Sequence, residues 1–373
     1  MTYFWQTEDW PHFTYEIDDS CARDLDEFML QVGRVGGLVD GLIGRDQLAT
    51  RVQVMVAEAI TTSEIEGEFL SRKDVMSSVR NNLGLNQPPV DVGDQRAMGA
   101  AALTVAVRND YPAPLSEDIL FEWHSKLLGW DRHVNVGAWR AHDEPMQVVS
   151  GPVGREAVHF EAPPSDRVGA EMRLFIDWFN TTAPGQVHEI GKSPIRAALA
   201  HLYFETIHPF EDGNGRIGRA LSEKALSQGL GSPLLMSLST TIATNKRAYY
   251  DELMTAQRRR DVSSWISFFS CLCVQAQETV NRQVKFTLQE TQLFNQFENR
   301  MNPRQIRVVR RMFKAGPDGF IGGMNARKYM AIAKTSKATA TRDLQGLLAM
   351  GVFRRIEGGG RNTRYALTIE KQS

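Results

Sequence analysis

The sequence predicts a mainly helical fold with one β-hairpin in its body and a basic module at the C-terminal end. Three observations carry that expectation. Apolar residues recur at three- and four-residue spacing along most of the chain, and strand-like alternation is scarce. Turn residues bearing Gly and Pro separate the periodic stretches. Hydrophobic residues make up 42% of the 373 residues and aromatics 9%, enough for real cores and too much for a disordered chain. A chain of this length is expected to form about two or three domains.

The spacing predicts helices over 18–43, 46–66, 71–83, 94–108, 116–128, 165–180, 193–208, 216–228, 245–258 and 263 to about 290. Gly84, Pro88-Pro89, Pro112 to Pro114, Pro184-Gly185 and Gly229 to Pro233 punctuate them. Residues 146–150 and 157–160 read as two strands around a Gly-rich tip, and Pro163-Pro164 stops the hairpin. A lone hairpin needs a surface to pack on, and its free edge can dock an extended peptide. No period repeats, and no segment is of low complexity.

Composition excludes several classes. Three cysteines, Cys21, Cys271 and Cys273, are too few for a disulfide framework. With no second Cys/His pair beside them, they read as helix residues rather than a zinc or redox site. The start lacks the basic and apolar regions of a signal peptide, and the most apolar run, 265–276, is too short to span a bilayer. The expectation is a cytoplasmic protein with no membrane contact. The net charge of −1 hides a split: residues 301–373 carry 15 Lys/Arg against 4 Asp/Glu, a balance of +11, and the rest balances at −12. A basic module on an acidic body suggests a nucleic-acid partner.

The densest chemical signal is His208-Pro-Phe-Glu-Asp-Gly-Asn-Gly-Arg-Ile-Gly-Arg219. Residues 193–208 are apolar on nearly every face, so the helix is expected to be buried, and Pro209 ends it. His208 then stands at a buried helix end facing a loop. Gly213, Asn214 and Gly215 present backbone N–H groups, and the next helix points its positive end at them. Arg216 and Arg219 sit on one side of that helix's first turn, where two cations oppose the helix dipole unless an anion is present. Phosphates suit such a place. Asp212 offers a hard oxygen to a divalent cation, and His208 is a natural general base whose pKa can lie near neutral. His201 and His208 do not have a zinc site's spacing or a third ligand.

This run resembles the Fic family motif, HPFx[D/E]GNGRxxR, at every defined position. The resemblance implies a Fic-type helical core with a β-hairpin flap and transfer of AMP from ATP to a protein hydroxyl. Carried over, it makes His208 the base that deprotonates a Ser, Thr or Tyr of a target protein or of the chain itself. Asp212 would hold Mg²⁺ (or Mn²⁺). Gly213, Asn214, Gly215, Arg216, Ile217, Gly218 and Arg219 would bind the nucleotide, with Arg216 and Arg219 on the β- and γ-phosphates. The 146–160 hairpin would dock the target by strand addition. Tyr249, Tyr250 and Gln257 lie where relatives place adenine contacts, with Tyr250 the preferred candidate. Phosphorylating relatives resembling Doc have a Lys-containing loop, so the intact Gly-Asn-Gly-Arg favours nucleotidyl transfer.

A second signal lies upstream. Val52, Met55, Val56 and Ala59 form an inward stripe that continues to Thr62, Ser63 and Glu66, while Glu58 and Glu64 fall off it and read as solvated. A carboxylate on a buried face needs a cationic partner. Thr62-Ser-Glu-Ile-Glu66-Gly67 resembles the [S/T]xxxE[G/N] inhibitory motif of Fic proteins, which implies that Glu66 occupies Arg219 and keeps a γ-phosphate from seating productively. The first 85 residues are similar to an uncharacterised region often fused to Fic cores.

Helices over 302–315, 327–334 and 336–350, then a hairpin of 352–356, a 357–361 turn and 363–368, resemble a winged helix-turn-helix. That resemblance implies DNA contact through Lys337, Thr339, Thr341 and Arg342 on the third helix, and phosphate contact through Arg354, Arg355, Arg361 and Arg364. The expected organisation is 1–85 with the inhibitory helix, 86–275 as the catalytic core, 276–300 as a linker helix and 301–373 as the winged helix. Two functions stay open: a protein adenylyltransferase held off by Glu66, and a DNA-binding regulator that senses nucleotide without turnover. An intact His208 favours the first, since a sensor needs no base. The same residues would also serve reverse, AMP-removing chemistry. The target, the nucleotide preference and the oligomeric state, a homodimer included, are not written in the sequence.

Overall fold

The computed structural model describes residues 2–42, 44–150, 157–317, 319–356 and 363–369. In chain order its elements are α1 (Asp19–Asp40), α2 (Gly44–Ile65), α3 (Arg72–Asn82), α4 (Gln95–Asp110), α5 (Glu117–Leu128), β1 (Gln147–Ser150) and β2 (Ala157–Glu161). Then come α6 (Ser165–Thr181), α7 (Ser193–Ile207), α8 (Asn214–Leu230), α9 (Leu238–Thr244), α10 (Lys246–Ala256) and α11 (Ser263–Phe297). The chain ends with α12 (Pro303–Phe313), α13 (Ala326–Ala333), α14 (Lys337–Ala349), β3 (Phe353–Ile356) and β4 (Arg364–Leu367). Polar caps fix several starts: Ser116 Oγ accepts from the Ile119 N–H, and Asp94 accepts from the Arg96 N–H. Most predicted bounds hold to within two or three residues. α11 runs seven residues past its expected end, and α9 was not expected at all. The hairpin tip at 151–156 and the turn at 357–361 lie outside the described residues.

The chain forms two compact units: Met1–Arg34 with Arg51–Glu278, and Val35–Thr50 with Thr279–Ser373. Residues 1–34 and 51–85, read from sequence as a separate N-terminal region, therefore belong to the unit that carries the 208–219 motif. At that unit's centre is α7, all fifteen residues of which are buried. A helix apolar on every side is the central helix of a core. α8 packs along it, and α5, α6, α10 and the first half of α11 complete the shell around Leu202, Phe204, Ile207, Ile217 and Leu221. A second cluster joins α2 to α3 and α4 through Val52, Val56, Val75, Val79 and Ala101. Full burial of each such valine contributes about 1.5–3 kcal/mol, which is what holds α2 in place. β1 and β2 pair antiparallel, Gln147 with Glu161 and Val148 with Phe160. Phe160 packs with Trp5.

In the other unit, α12, α13 and α14 enclose Val308, Tyr329, Leu344 and Leu347, and β3 pairs antiparallel with β4. Met324 and Tyr365 exchange main-chain hydrogen bonds, adding a one-residue third strand. The buried Asp343 joins the three helices: it accepts from Arg304 (2.8 Å), Asn302 (3.0 Å) and the Tyr329 hydroxyl (3.0 Å). Those bonds hold its carboxyl below the ordinary range against the opposing effect of burial. Cys21 and Cys273 are buried and Cys271 is half-buried; all three are free thiols. No helix among the described residues is long and apolar enough to cross a membrane.

Candidate active site

The residue that caps the central helix sets the site. His208 caps α7 with φ 52° and ψ 61°, left-handed torsions that cost a non-glycine residue about 1–2 kcal/mol. Its N–H donates to the Phe204 carbonyl at 2.9 Å. The side chain keeps only 15% exposure. Nδ1 stands 3.7 Å from Glu205 Oε2 and makes no hydrogen bond. Burial first, then the Arg140 charge, lowers its pKa to about 4, against weaker opposing effects of Glu205, Glu66 and Asp212. The sequence suggested a value near neutral; burial is the reason for the difference. The imidazole is thus uncharged at pH 7, with a lone pair to accept a proton. Burial pushes the neighbouring Glu205 up to about 8.

The loop after His208 is tied by its own side chains. Asn214 accepts from the Phe210 N–H (2.9 Å) and donates to the Phe210 carbonyl (2.8 Å), so this buried amide holds the loop closed. Asp212 Oδ1 accepts from the Gly213 N–H at 2.6 Å, and its carbonyl oxygen lies 3.2 Å from His124 Nε2. His124 Nδ1 accepts from the Gly137 N–H, which places its proton on Nε2, toward Asp212. The described residues contain no cluster of three or more His, Cys, Asp or Glu able to hold a metal. One half-exposed carboxylate, Asp212, fits a hard cation that draws its remaining ligands from phosphates and water.

Arg216 and Arg219, in the first two turns of α8, are buried, at 3% and 2% exposure, and both are already paired with carboxylates. Arg219 donates to Glu66 Oε1 (2.8 Å), to Thr62 Oγ1 (2.8 Å) and to the Thr62 carbonyl (3.0 Å). Arg216 donates to Glu68 Oε2 (2.9 Å) and to Asp212 Oδ2 (3.2 Å). The cations that seemed to require a polyanion are neutralised by the protein itself. Burial opposes ionisation of Glu66, but Arg219, then Arg216 and Lys246, outweigh it and hold the carboxyl below 4.5. Lys246 also donates to the Ile65 carbonyl at 2.5 Å.

The end of α2 explains how two carboxylates reach two arginines. Gly67 has φ 84°, and the N–H groups of Gly67 and Glu68 donate back to Glu64 and Ser63. This left-handed cap turns the chain at once, so residues on either side of the glycine face the same helix. Gly215 completes the fit: a β-carbon there would collide with Glu66 Oε1.

A cleft of about 640 Å³ opens above these groups, lined by Glu66, His208, Asp212, Gly213, Asn214, Gly215, Arg219, Tyr250, Leu253 and Met254. Met146, Val148 and Phe160 of the hairpin form one wall. Tyr250 keeps a half-buried ring on the cleft, 5.9 Å from Lys246 Nζ. Tyr249 also lines the cleft, though it is only 1% exposed and its hydroxyl is bonded to His201 at 2.6 Å. Gln257 lines the cleft as well, buried and donating to the Glu205 carbonyl.

Several sequence readings need correction. Ile217 is wholly buried in the core, and Gly218 is pressed against Glu205 and His201; neither lines the cleft. Arg216 is off the cleft wall while Glu68 and Asp212 hold it. Glu58, read as solvated, is 8% exposed and accepts from Ser237 Oγ (2.9 Å), the Ser239 N–H (3.1 Å) and Ser239 Oγ. It caps α9 from another helix, which explains both the burial and the unexpected helix. Three residues escaped the sequence reading: Glu68, His124 and Arg140. Only Glu68 left a trace, as an acid beside the inhibitory motif.

Residues 114–226 match the family model for the Fic/DOC family, and residues 3–85 match a domain of unknown function, DUF4172. The Culex quinquefasciatus protein named Protein adenylyltransferase Fic is 27% identical over 212 residues, 55% of this chain and 37% of its own length. The chain thus spans little more than a third of that curated relative. A Fic family protein from Desulfovibrio desulfuricans G20 superposes over 96% of this chain and 99% of its own, with a TM-score of 0.55 at 19% identity. A Fic domain containing signaling protein from Bacteroides thetaiotaomicron VPI-5482 covers 69% of this chain and 97% of its own, with a TM-score of 0.52 at 18% identity. The helical body around His208 has the Fic fold, and the chain carries a Fic/DOC-family domain over residues 114–226.

Proposed function

We propose that this protein transfers AMP from ATP to a hydroxyl of a protein substrate and is held nearly inactive by Glu66. The observation that carries the proposal is the Arg219–Glu66 pair in the cleft that also contains His208. A triphosphate entering this cleft competes with Glu66 for Arg219, and its β-phosphate competes with Glu68 for Arg216.

The chemistry asks little covalent work of the protein. The substrate hydroxyl gives its proton to the imidazole of His208. Its oxygen bonds to the α-phosphorus as the bond from that phosphorus to the bridging oxygen breaks, and pyrophosphate leaves. Backbone N–H groups at the start of α8 and the two guanidinium groups stabilise the departing charge. Asp212 is the residue to hold Mg²⁺, which when bound would neutralise charge on the phosphates.

Geometry also supports a docking edge. The outer carbonyls of β2 are engaged: His159 O accepts from Arg258 (3.1 Å) and Glu161 O from Trp5 (2.8 Å). Among the described residues this leaves β1 as the edge to which a target strand can add. The test is Glu66→Gly protein incubated with α-labelled ATP and Mg²⁺. Label on protein, lost when His208→Ala is added to the variant, is the expected result. No label above wild type would refute the gate.

We further propose that residues 301–373 bind duplex nucleic acid. Lys337, Arg342, Arg354, Arg355 and Arg364 are exposed, and none makes an ion pair among the described residues. Arg361 lies outside those residues. Affinity of the full chain for a duplex should fall steeply, by about 10³-fold or more, as salt rises from about 50 to about 200 mM. No binding even at the lower salt would end this reading.

A further inference from the structure

The segment between α5 and β1 sends one guanidinium into the body. Arg140 is 1% exposed. Its Nε donates to the His208 carbonyl at 2.8 Å, and Nη2 to the carbonyls of Ile207 (3.2 Å) and Pro163 (2.5 Å). Nη1 donates to Ser165 Oγ at 2.9 Å, and the main-chain N–H of Arg140 donates to the Pro209 carbonyl at 2.9 Å. Among the described residues no carboxylate pairs with it. Burial lowers its pKa to about 10, so it remains charged at neutral pH.

A buried charge without a counter-ion is expensive. Here it answers two needs. The last carbonyls of α7 have no partner within the helix and carry the negative end of its dipole. His208 must also be held in left-handed torsions that it would not adopt unaided. A planar fork of five donors meets both needs and still reaches Pro163 and Ser165, just beyond β2. Lysine has the charge but not the fork.

We propose that Arg140 is a positioning residue for His208. It holds the histidine main chain and the foot of the hairpin in one frame, so that the imidazole and a hydroxyl docked on β1 keep a fixed relation. The proposal rests on His208 being the base that takes the substrate proton.

All tests use the Glu66→Gly background, with ATP varied and His208→Ala as the reference for lost base function. Arg140→Lys should lower kcat about tenfold or more, the loss expected from a displaced catalytic group, with the KM for ATP within about twofold. Arg140→Ala should lose at least as much kcat and regain part of it with millimolar guanidinium. Ser165→Ala removes one bond at the far end of the fork and should lower kcat about two- to fivefold. If Arg140→Ala fails to fold, Arg140→Lys and Ser165→Ala carry the test, with thermal melts alongside. Full kcat in Arg140→Lys would overturn the proposal, as would a kcat loss that follows the folded fraction and resists guanidinium. Should His208→Ala label protein as well as its parent, the base assignment itself fails, an outcome separate from the other two.

Discussion

Two carboxylates on one polypeptide stretch meet the body in opposite ways. Glu58, in the middle of α2, is buried and satisfied by two hydroxyls and an N–H at the start of α9. Glu66, just past the last turn, keeps 29% of its side chain exposed and relies on Arg219. The first roots the helix, and the second stands where the proposed gate would let go. A gate needs both, because an end that lets go must belong to an element that stays.

The largest expected effect asks whether that end guards anything. In the Glu66→Gly background, His208→Ala should lower label incorporation by about 10²–10⁴-fold, the usual worth of a general base. Activity surviving that change would leave the gate without a catalytic centre to close. Next in size, Glu66→Gly alone should raise incorporation about tenfold or more over wild type, a coupling energy in the ordinary range. Glu58→Ala should do the reverse: unfolding in urea should show a loss of about 1–3 kcal/mol, since it orphans buried donors at α9. A Glu58→Ala protein as stable as wild type would erase the contrast between root and end.

Glu68 sharpens the comparison further. Arg216 keeps Asp212 as a second partner when Glu68 is lost, so Glu68→Gln should raise incorporation only about two- to fivefold. An effect equal to that of Glu66→Gly would make the two carboxylates equal partners. The smallest effect is on pH. The folded pKa of Glu66 lies below 4.5, so the stabilisation from its pairing is complete above that value and is lost as pH falls through the lowered one. The melting-temperature difference between wild type and Glu66→Gln should therefore stay constant down to about pH 5 and shrink only in stronger acid. A difference that shrinks near neutrality would contradict the pairing.

Most of the helical body was legible in the sequence because local signals and burial agree there. Residues 193–207 are apolar on every side and lie at the centre, and polar caps stand where the starts were read. The inward stripe that ends in an acid asks only for some cationic partner; it is the resemblance of residues 62–67 to an inhibitory motif that implies Arg219. What could not be read depends on partners far away in sequence. Glu58 looks solvated until Ser237 and Ser239 arrive 179 and 181 residues later. Arg140 is a single arginine before a hairpin, and its acceptors at Ile207 and His208 lie 67 and 68 residues on. Glu68 escaped because helical periodicity stops at Gly67, where the backbone changes hand. The seven residues of α9, rich in Ser and Thr, have little helical preference of their own and owe their start to a cap from another helix.

The turn at Gly67 has a practical consequence. Open space surrounds the position where its β-carbon would stand, so an alanine there would meet no neighbour and suffer only the torsional penalty of about 1–2 kcal/mol. Relaxing that one torsion would change the path from Glu66 to Glu68 and loosen the Glu68–Arg216 pair, while Glu66 stays at the end of α2. That position lies outside the cleft lining, so the proposed restraint can be altered there apart from the chemistry.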